Sequence, residues 1–343
     1  MRAVKLYAPG DFRLVEVEKP IPGPGEVLVQ VKEVGICASD VHWYEDGRIG
    51  DTVMTEPLIL GHEFAGVIAE IGPGVTKVKP GDRVAVEPGI PCYQCDICAE
   101  GEYNICPNVR FCGTPPTDGA FREFLSWPAQ LVELIPDSVS MGEAAMLEPL
   151  AIGVYAIDIA GDVRGRRIGV LGAGAIGLSV LQAARAAGCG ETFVTDLIPE
   201  RLELALRLGA SRTFDARDPK IVDAVKQAAG SRDLEIVFEA AGENDAVTQA
   251  TEMVRPGGLV ILGGIPGDDR IVLAAGTVRR KGLTIRLLRR SEDTLRHSIR
   301  LVQEGEADVA SYITHRLPLE QLDEAFQIAR DRRDGALRVL VHM

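Results

Sequence analysis

The rhythm of hydrophobic and polar positions changes about halfway along the chain. In the first part, apolar and β-branched residues gather in short runs at 27–31, 67–71 and 83–86, set off by Pro22-Gly23-Pro24-Gly25 and Gly72-Pro73-Gly74. Runs of this length between turn signals predict a β-rich barrel or sandwich. Beyond Arg164 the pattern becomes one of apolar strands alternating with amphipathic helices. Segments 167–171, 191–195, 234–238 and 259–262 read as buried strands. The helix after the first of them places Ile176, Val180 and Ala184 on one face and ends before Gly188. Pro199 and Pro219 mark first helical turns, and Gly209 sits just past a helix end. This alternation predicts a doubly wound parallel sheet, so the chain as a whole is α/β. A strand at 283–287 follows, and Leu319, Leu322, Phe326 and Ala329 lie at helical spacing before a last strand at 336–341.

Length and charge narrow the classes. At 343 residues the chain exceeds one ordinary core, and two domains are expected. Its most apolar long run, 144–160, is interrupted by Glu148, Pro149 and Asp158, which predicts a buried helix rather than a bilayer span. The opening Met1-Arg2-Ala3-Val4-Lys5-Leu6 runs straight into strand alternation, so no export signal is read and a cytoplasmic location is expected. A formal charge of −13 argues against nucleic acid and anionic membrane surfaces as partners.

Candidate chemistry lies in three places. The first is Pro91-Cys92-Tyr93-Gln94-Cys95-Asp96-Ile97-Cys98, with Cys106 following; four thiolates on a turn-rich loop can close a tetrahedral shell around zinc. A later Cys106-Pro107 echoes a ferredoxin run, but the last gap is too long for one. Cys112 and Cys189 read as ordinary small buried residues. The second is Gly172-Ala173-Gly174-Ala175-Ile176-Gly177, entered from a strand and leading into a helix, with Asp196 nineteen residues after Gly177 at the end of the next strand. In this context the glycines let a pyrophosphate approach the helix amino terminus, and Asp196 accepts from the ribose hydroxyls, favouring NAD over NADP. Arg201 reads either as an adenine neighbour or as a surface charge. Gly264 and Ile265, after the 259–262 strand, either reach the nicotinamide or simply end the strand. The third is Gly61-His62-Glu63 with Cys37 and Glu148, a mix of thiol, imidazole and carboxylate suited to a zinc that keeps one position open. A cluster of arginines (Arg286, Arg289, Arg290, Arg296, Arg300) reads as a largely solvated face.

Taken in order, these motifs resemble the medium-chain zinc-dependent alcohol dehydrogenase superfamily over nearly the whole chain. Cys37-Ala38-Ser39-Asp40-Val41-His42, Gly47-Arg48-Ile49-Gly50-Asp51, Thr114-Pro115-Pro116-Thr117-Asp118-Gly119 and Leu147-Glu148-Pro149-Leu150 resemble its polyol branch, typified by sorbitol and xylitol dehydrogenases. The resemblance implies a GroES-like catalytic domain at 1–150 and 288–343, a Rossmann NAD-binding domain at 151–287, and an active site in the cleft. It implies two zinc ions per chain. The catalytic ion would be held by Cys37, His62 and Glu63, with Glu148 bound directly or through water; the structural ion would be held by Cys92, Cys95, Cys98 and Cys106. Ser39 and His42 would relay the proton, Gly172, Gly174, Ala175, Ile176, Gly177, Asp196, Arg201, Gly264 and Ile265 would meet NAD, and Phe111 and Arg290 would meet the substrate. A small polyol would be the substrate, and a homotetramer or homodimer the assembly. One departure stands out. Polyol relatives tend to carry Arg-Tyr-x-Asn-Thr where this chain has Arg290-Ser291-Glu292-Asp293-Thr294, which leaves room for a sugar acid or a phosphorylated polyol. Threonine dehydrogenase shares the ligands, and a non-catalytic NAD-binding protein is the alternative outside enzymes.

Overall fold

The computed structural model describes residues 1–230, 233–267 and 269–343. The chain forms two compact units: Met1–Glu148 with Ser298–Gln303 and Val309–Met343, and Pro149–His297 with Glu304–Asp308. The stretch 288–297 thus packs with the second unit. There the buried Thr294 donates its hydroxyl to the carbonyl of Ala151 at 2.9 Å.

The first unit opens with the hairpin β1 (Arg2–Ala8) and β2 (Asp11–Glu16). Its main sheet contains β3 (Glu26–Gly35), β4 (Glu63–Ile71), β5 (Arg83–Val86), β6 (Phe124–Pro128) and β7 (Val132–Leu134). The second unit supplies β8 (Ile168–Leu171), β9 (Thr192–Asp196), β10 (Arg212–Asp215), β11 (Leu234–Glu239), β12 (Val254–Leu262) and β13 (Thr284–Leu287). The chain then returns to the first sheet with β14 (Ile313–Pro318) and β15 (Arg338–His342). The first sheet runs β7-β5-β4-β3-β15-β14, with β6 also paired to β3. Its inward side chains, among them Val29, Val31, Phe64, Ile68, Val84 and Val341, form one hydrophobic core with Phe121 and Phe326.

Helix α1 (Ala38–Asp46) is pinned to this core by Trp43 and Tyr44, which are buried. The Tyr44 ring stacks on Phe12 and tilts against Phe326, and its hydroxyl donates to Asp323 at 2.8 Å. The carboxy-terminal half of α1 is therefore held firmly, directly after His42 and one turn beyond Ser39.

The second sheet is parallel throughout, in the order β10-β9-β8-β11-β12-β13. Strand order reverses between β8 and β11, the switch point at whose carboxyl ends such sheets bind ligands. Helix α2 (Leu147–Ala160) begins one residue after a short helical turn at Met141–Ala145, so the apolar run at 144–160 is broken at Met146 rather than continuous. Helix α3 (Ala175–Ala186) is buried on more than one face. Gly153 lies so close that a Cβ there would fall 2.5 Å from the Ser179 carbonyl carbon, and Gln182 exchanges hydrogen bonds with the Asp308 backbone. Helix α4 (Pro199–Arg207) starts on Pro199 as expected. Pro219 instead lies two residues before the helix Ile221–Ala229, because Lys220 occupies the N-cap. Among the described residues no helix is long and apolar enough to cross a membrane.

Candidate active site

Three neighbouring strand ends in the first unit bring the metal-ligand types together. Gly35, ending β3, is paired with Glu63 on β4 on one side and with Leu340 on β15 on the other. Cys37 follows at the N-cap of α1, Glu63 opens β4 and Arg338 opens β15. A Cβ at Gly35 would fall 2.6 Å from Glu63 Oε2, so glycine there makes room for the carboxylate.

The ligand atoms of Cys37, His62 and Glu63 all lie within 4.8 Å of one another. Glu63 has no exposed surface, and its Oε2 finds no hydrogen-bond partner among the described residues. Its Oε1 is 2.9 Å from Arg338 Nη2, an ion pair that falls short of hydrogen-bond geometry. A buried carboxylate with unsatisfied oxygens is costly, and a divalent cation is the kind of partner that relieves it. The donor set fits zinc.

Asp40 organises this corner and was not singled out by the sequence. Fully buried, it accepts from the Cys37 amide at 3.0 Å and the Gly61 amide at 3.2 Å, and its Oδ1 lies 3.4 Å from His62 Nδ1. A carboxylate behind one imidazole nitrogen fixes the ring so that the other faces a metal. Burial alone would lower the His62 pKa, but the charge and hydrogen bond of Asp40, with help from Cys37, lift it well above its usual value. A metal must displace that proton.

Arg338 was also missed. It is buried, donates from Nη1 to the Ile36 carbonyl at 2.6 Å, and its guanidinium feels the charges of Glu63, Cys37 and Glu148. Its signal was an arginine in an otherwise apolar strand. Glu148, in the first turn of α2, is buried nearby but stands outside the close triplet. Burial pushes its pKa up to about 7, with the negative charge of Glu63 adding to the effect and His62 and Arg338 opposing it. The Phe111 ring lies 5.2 Å from that of His62. Ser39 and His42 follow Cys37 on α1; both are half-buried, and His42 Nδ1 lies 3.9 Å from Asp46. Arg290 sits in the second unit in the left-handed region, at φ 55°.

The second metal cluster is the cysteine loop. Cys92, Cys95, Cys98 and Cys106 converge, with Sγ separations of 3.6 Å (Cys92–Cys106), 3.9 Å (Cys92–Cys98) and 3.9 Å (Cys95–Cys106). A tetrahedron of sulfurs about 2.3 Å from one zinc has edges of about 3.8 Å. The fit is to a single ion rather than a cluster, whose cysteines bind separate irons. All seven cysteines are free, and Cys112 is wholly buried, with its thiol pushed up to about 12 by burial.

In the second unit the glycine turn after β8 has the shape a dinucleotide requires. Gly172 is at φ 96°, and a Cβ on Gly177 would fall 1.8 Å from the Gly172 carbonyl oxygen. Gly174 is the N-cap of α3 without a side-chain cap, and a Cβ there would meet nothing within 4 Å. The helix thus starts beside open space at Gly174, and its first-turn amides, at Ala175 and Ile176, have no intrahelical partner, the kind of group that holds a phosphate. Asp196 ends β9 and accepts from the amides of Ala173 at 2.6 Å and Ile198 at 2.9 Å. It therefore ties the glycine turn to the start of α4, where Arg201 is half-buried in the first turn. Gly264 is half-buried and Ile265 exposed in the turn after β12.

Residues 23–137 match the alcohol dehydrogenase GroES-like domain, and residues 175–304 match the zinc-binding dehydrogenase domain. The chain is 37% identical to the sorbitol dehydrogenase of Bacillus subtilis (strain 168) over 342 residues, covering 100% of this chain and 97% of the relative. It is also 37% identical to that of Gallus gallus, over 96% and 93% of the two chains. Among solved structures, an Escherichia coli oxidoreductase/dehydrogenase of unknown specificity superposes with a TM-score of 0.94 at 34% identity, covering 99% and 98% of the chains. A zinc-binding dehydrogenase from Sinorhizobium meliloti 1021 bound to NADP superposes at 0.91 with 29% identity, over 100% and 99% of the chains. An alcohol dehydrogenase from E. coli CFT073 complexed with NADH does so at 0.91 with 27% identity, over the same shares. With the GroES-like and Rossmann folds and both cysteine-containing ligand clusters in place, the chain belongs to the zinc-dependent medium-chain alcohol dehydrogenase superfamily, within its polyol dehydrogenase subgroup.

Proposed function

We propose that this enzyme oxidises a secondary hydroxyl of a sugar alcohol of the sorbitol or xylitol type to a ketose, passing the hydride to NAD. The observation that carries the reading is the metal triplet of Cys37, His62 and Glu63 with the buried Glu148 beside it. Zinc held there supplies Lewis acidity toward a hydroxyl oxygen. Everything else falls to the chain. Asp40 holds His62 in register, and Arg338 balances the negative charge of Cys37, Glu63 and Glu148. The position of Glu148 outside the triplet supports contact through a water. Ser39 and His42, three residues apart on α1, share one side of the helix, which suits a relay carrying the hydroxyl proton outward. The face of Phe111 toward His62 supports its place at the substrate, and Arg290 is proposed for the polar end of the same ligand. Cys92, Cys95, Cys98 and Cys106 hold the structural ion.

We assign the first unit as catalytic and the second as the NAD-binding domain. Gly172, Gly174, Ala175, Ile176 and Gly177 take the pyrophosphate and Asp196 the ribose, with Arg201 beside the adenine and Gly264 and Ile265 toward the nicotinamide. A carboxylate at Asp196 repels a 2′-phosphate, which favours NAD. Seven free thiols, four of them in one metal-ligating loop, suit a reducing, cytoplasmic setting. A homodimer or homotetramer is the proposed assembly.

The decisive experiment is a substrate panel with NAD after zinc reconstitution. Xylitol, sorbitol and galactitol are set against threonine, a sugar acid and a phosphorylated polyol. Reduction of NAD with the neutral polyols is expected. Turnover of threonine alone would overturn the proposal, and preference for the anionic sugars would move it to the Arg290 alternative.

A further inference from the structure

One buried carboxylate in the second unit belongs to neither metal cluster. Glu239 ends β11, directly across the switch point from the glycine turn, where its register partner on β8 is Leu171. It is 2% exposed. Its Oε1 accepts from the amides of Ala241 and Gly242, each at 2.7 Å, and its Oε2 accepts from the amide of Gly264 at 3.2 Å. Its own carbonyl accepts from Gly263 at 2.8 Å. One side chain thus holds the turn after β11 against the turn after β12.

The turns it joins are packed backbone to backbone. A Cβ on Gly264 would fall 2.2 Å from the Gly242 nitrogen, one on Gly242 would fall 2.8 Å from the Ile265 carbonyl oxygen, and one on Gly172 would fall 2.8 Å from the Ala241 nitrogen. So three turns at the carboxyl ends of β8, β11 and β12 meet around Glu239. In a doubly wound sheet the first mononucleotide-binding half lies on the β8, β9 and β10 side of the switch point and the second half lies on the β11, β12 and β13 side. The phosphate-binding glycine turn and Asp196 belong to the first half. The turns that Glu239 clamps belong to the second, which faces the nicotinamide end.

We propose that Glu239 is a positioning residue for the nicotinamide half of the cofactor, fixing through its carboxylate the two backbone turns on which that half rests. The inference depends on the dinucleotide reading of this unit. A carboxylate suits the task because it accepts on both oxygens at once; no other side chain of this length offers acceptors in both directions without a donor among them. Burial raises the pKa of Glu239, while the amides of Gly242, Ala241 and Gly264 oppose the rise.

The test is Glu239→Gln. Whichever way the amide turns, its NH2 group faces backbone N–H donors, so one of the two turns loses its anchor. Binding of NADH and of ADP-ribose, which lacks the nicotinamide, is measured by titration calorimetry on the zinc-loaded enzyme. NADH affinity is expected to fall roughly tenfold to a hundredfold, the loss of one hydrogen bond to a charged group, while ADP-ribose affinity is unchanged. Equal losses for both ligands, or no loss of NADH affinity, would overturn the proposal. If the Gln variant does not fold, Glu239→Asp keeps the charge but shortens its reach to the two turns, and the same selective loss is expected. An unmodified enzyme that bound neither ligand would remove the dinucleotide reading itself, and this inference with it.

Discussion

Arg338 shows how much a single residue can govern a metal site without touching the metal. With a metal absent, its guanidinium is the chief counter-charge to the buried Glu63. Breaking a buried pair by removing one partner costs about 3–5 kcal/mol, because the other charge is left uncompensated. Arg338→Met is therefore expected to lose stability on that scale in the zinc-free protein and clearly less in the zinc-loaded one, where the ion still neutralises Glu63. Urea unfolding with and without a chelator checks this, and equal losses in the two states would show that the pair is not the cause. Glu148 gives the pH counterpart. Its pKa rises from 4.5 to about 7 on folding, so the folded state favours its protonated form. Its contribution to stability is fully present below pH 4.5 and is lost as pH rises through about 7. In zinc-free protein, Glu148→Gln should flatten that part of the stability profile; an unchanged pH dependence would refute it. Cys37, His62 and Glu63 were legible in the sequence because ligand types at motif spacing are rare by chance. Asp40 and Arg338 were not, because a second layer is defined by distance in space and leaves only an ordinary Asp or Arg in the text.

At the level of elements, the cysteine loop is the most self-contained. It has short helical turns at Asp96–Ala99 and Tyr103–Ile105 but little regular structure to hold four thiols within one tetrahedron. The ion is what closes it, since ligand binding in such loops is folding free energy. Cys98→Ser should lower zinc from two ions per chain to one by metal analysis. Loss of amide-exchange protection should centre on residues 90–112 and leave the parallel sheet untouched. Retention of two ions would show that Cys98 is not a ligand. The glycine turn was read at its true place because its demands are local: one positive φ at Gly172, one close approach at Gly177 and one open space at Gly174. From its own hydrophobic pattern the first part of the chain was legible only as β-rich, and its GroES-like fold was legible through the family resemblance. Its order, with β3 between β4 and β15, depends on pairings across hundreds of residues that no window of sequence displays. Likewise, the single-face reading of α3 failed because Gly153 and Asp308 cover sides that an amphipathic pattern assigns to solvent.

For the molecule as a whole, the parallel sheet ends in an outer strand, β13, whose Leu287 is 65% exposed, close in sequence to the exposed Ile271, Val272 and Leu273. A sheet edge with an exposed leucine of this kind is usually covered, and we propose that a second copy covers it in the oligomer. Leu287→Lys is expected to shift the sedimentation coefficient toward the monomer at micromolar concentration without changing zinc content. An unshifted oligomer would place the interface elsewhere, and a monomeric parent protein would remove it. The charge of −13 read from composition is compatible with such pairing, since the edge strand itself, Thr284-Ile285-Arg286-Leu287, carries no carboxylate. The return of the chain after residue 309 carries a different consequence, one of timing. During synthesis the parallel sheet is complete before β15 exists, whereas Cys37, His62 and Glu63 have been made long before and stand without Arg338. The corner that takes the catalytic ion therefore gains the counter-charge of Arg338 only when β15 pairs with β3, so burial of Glu63 against Arg338 is a late event in the birth of the protein, set by the arrival of that strand.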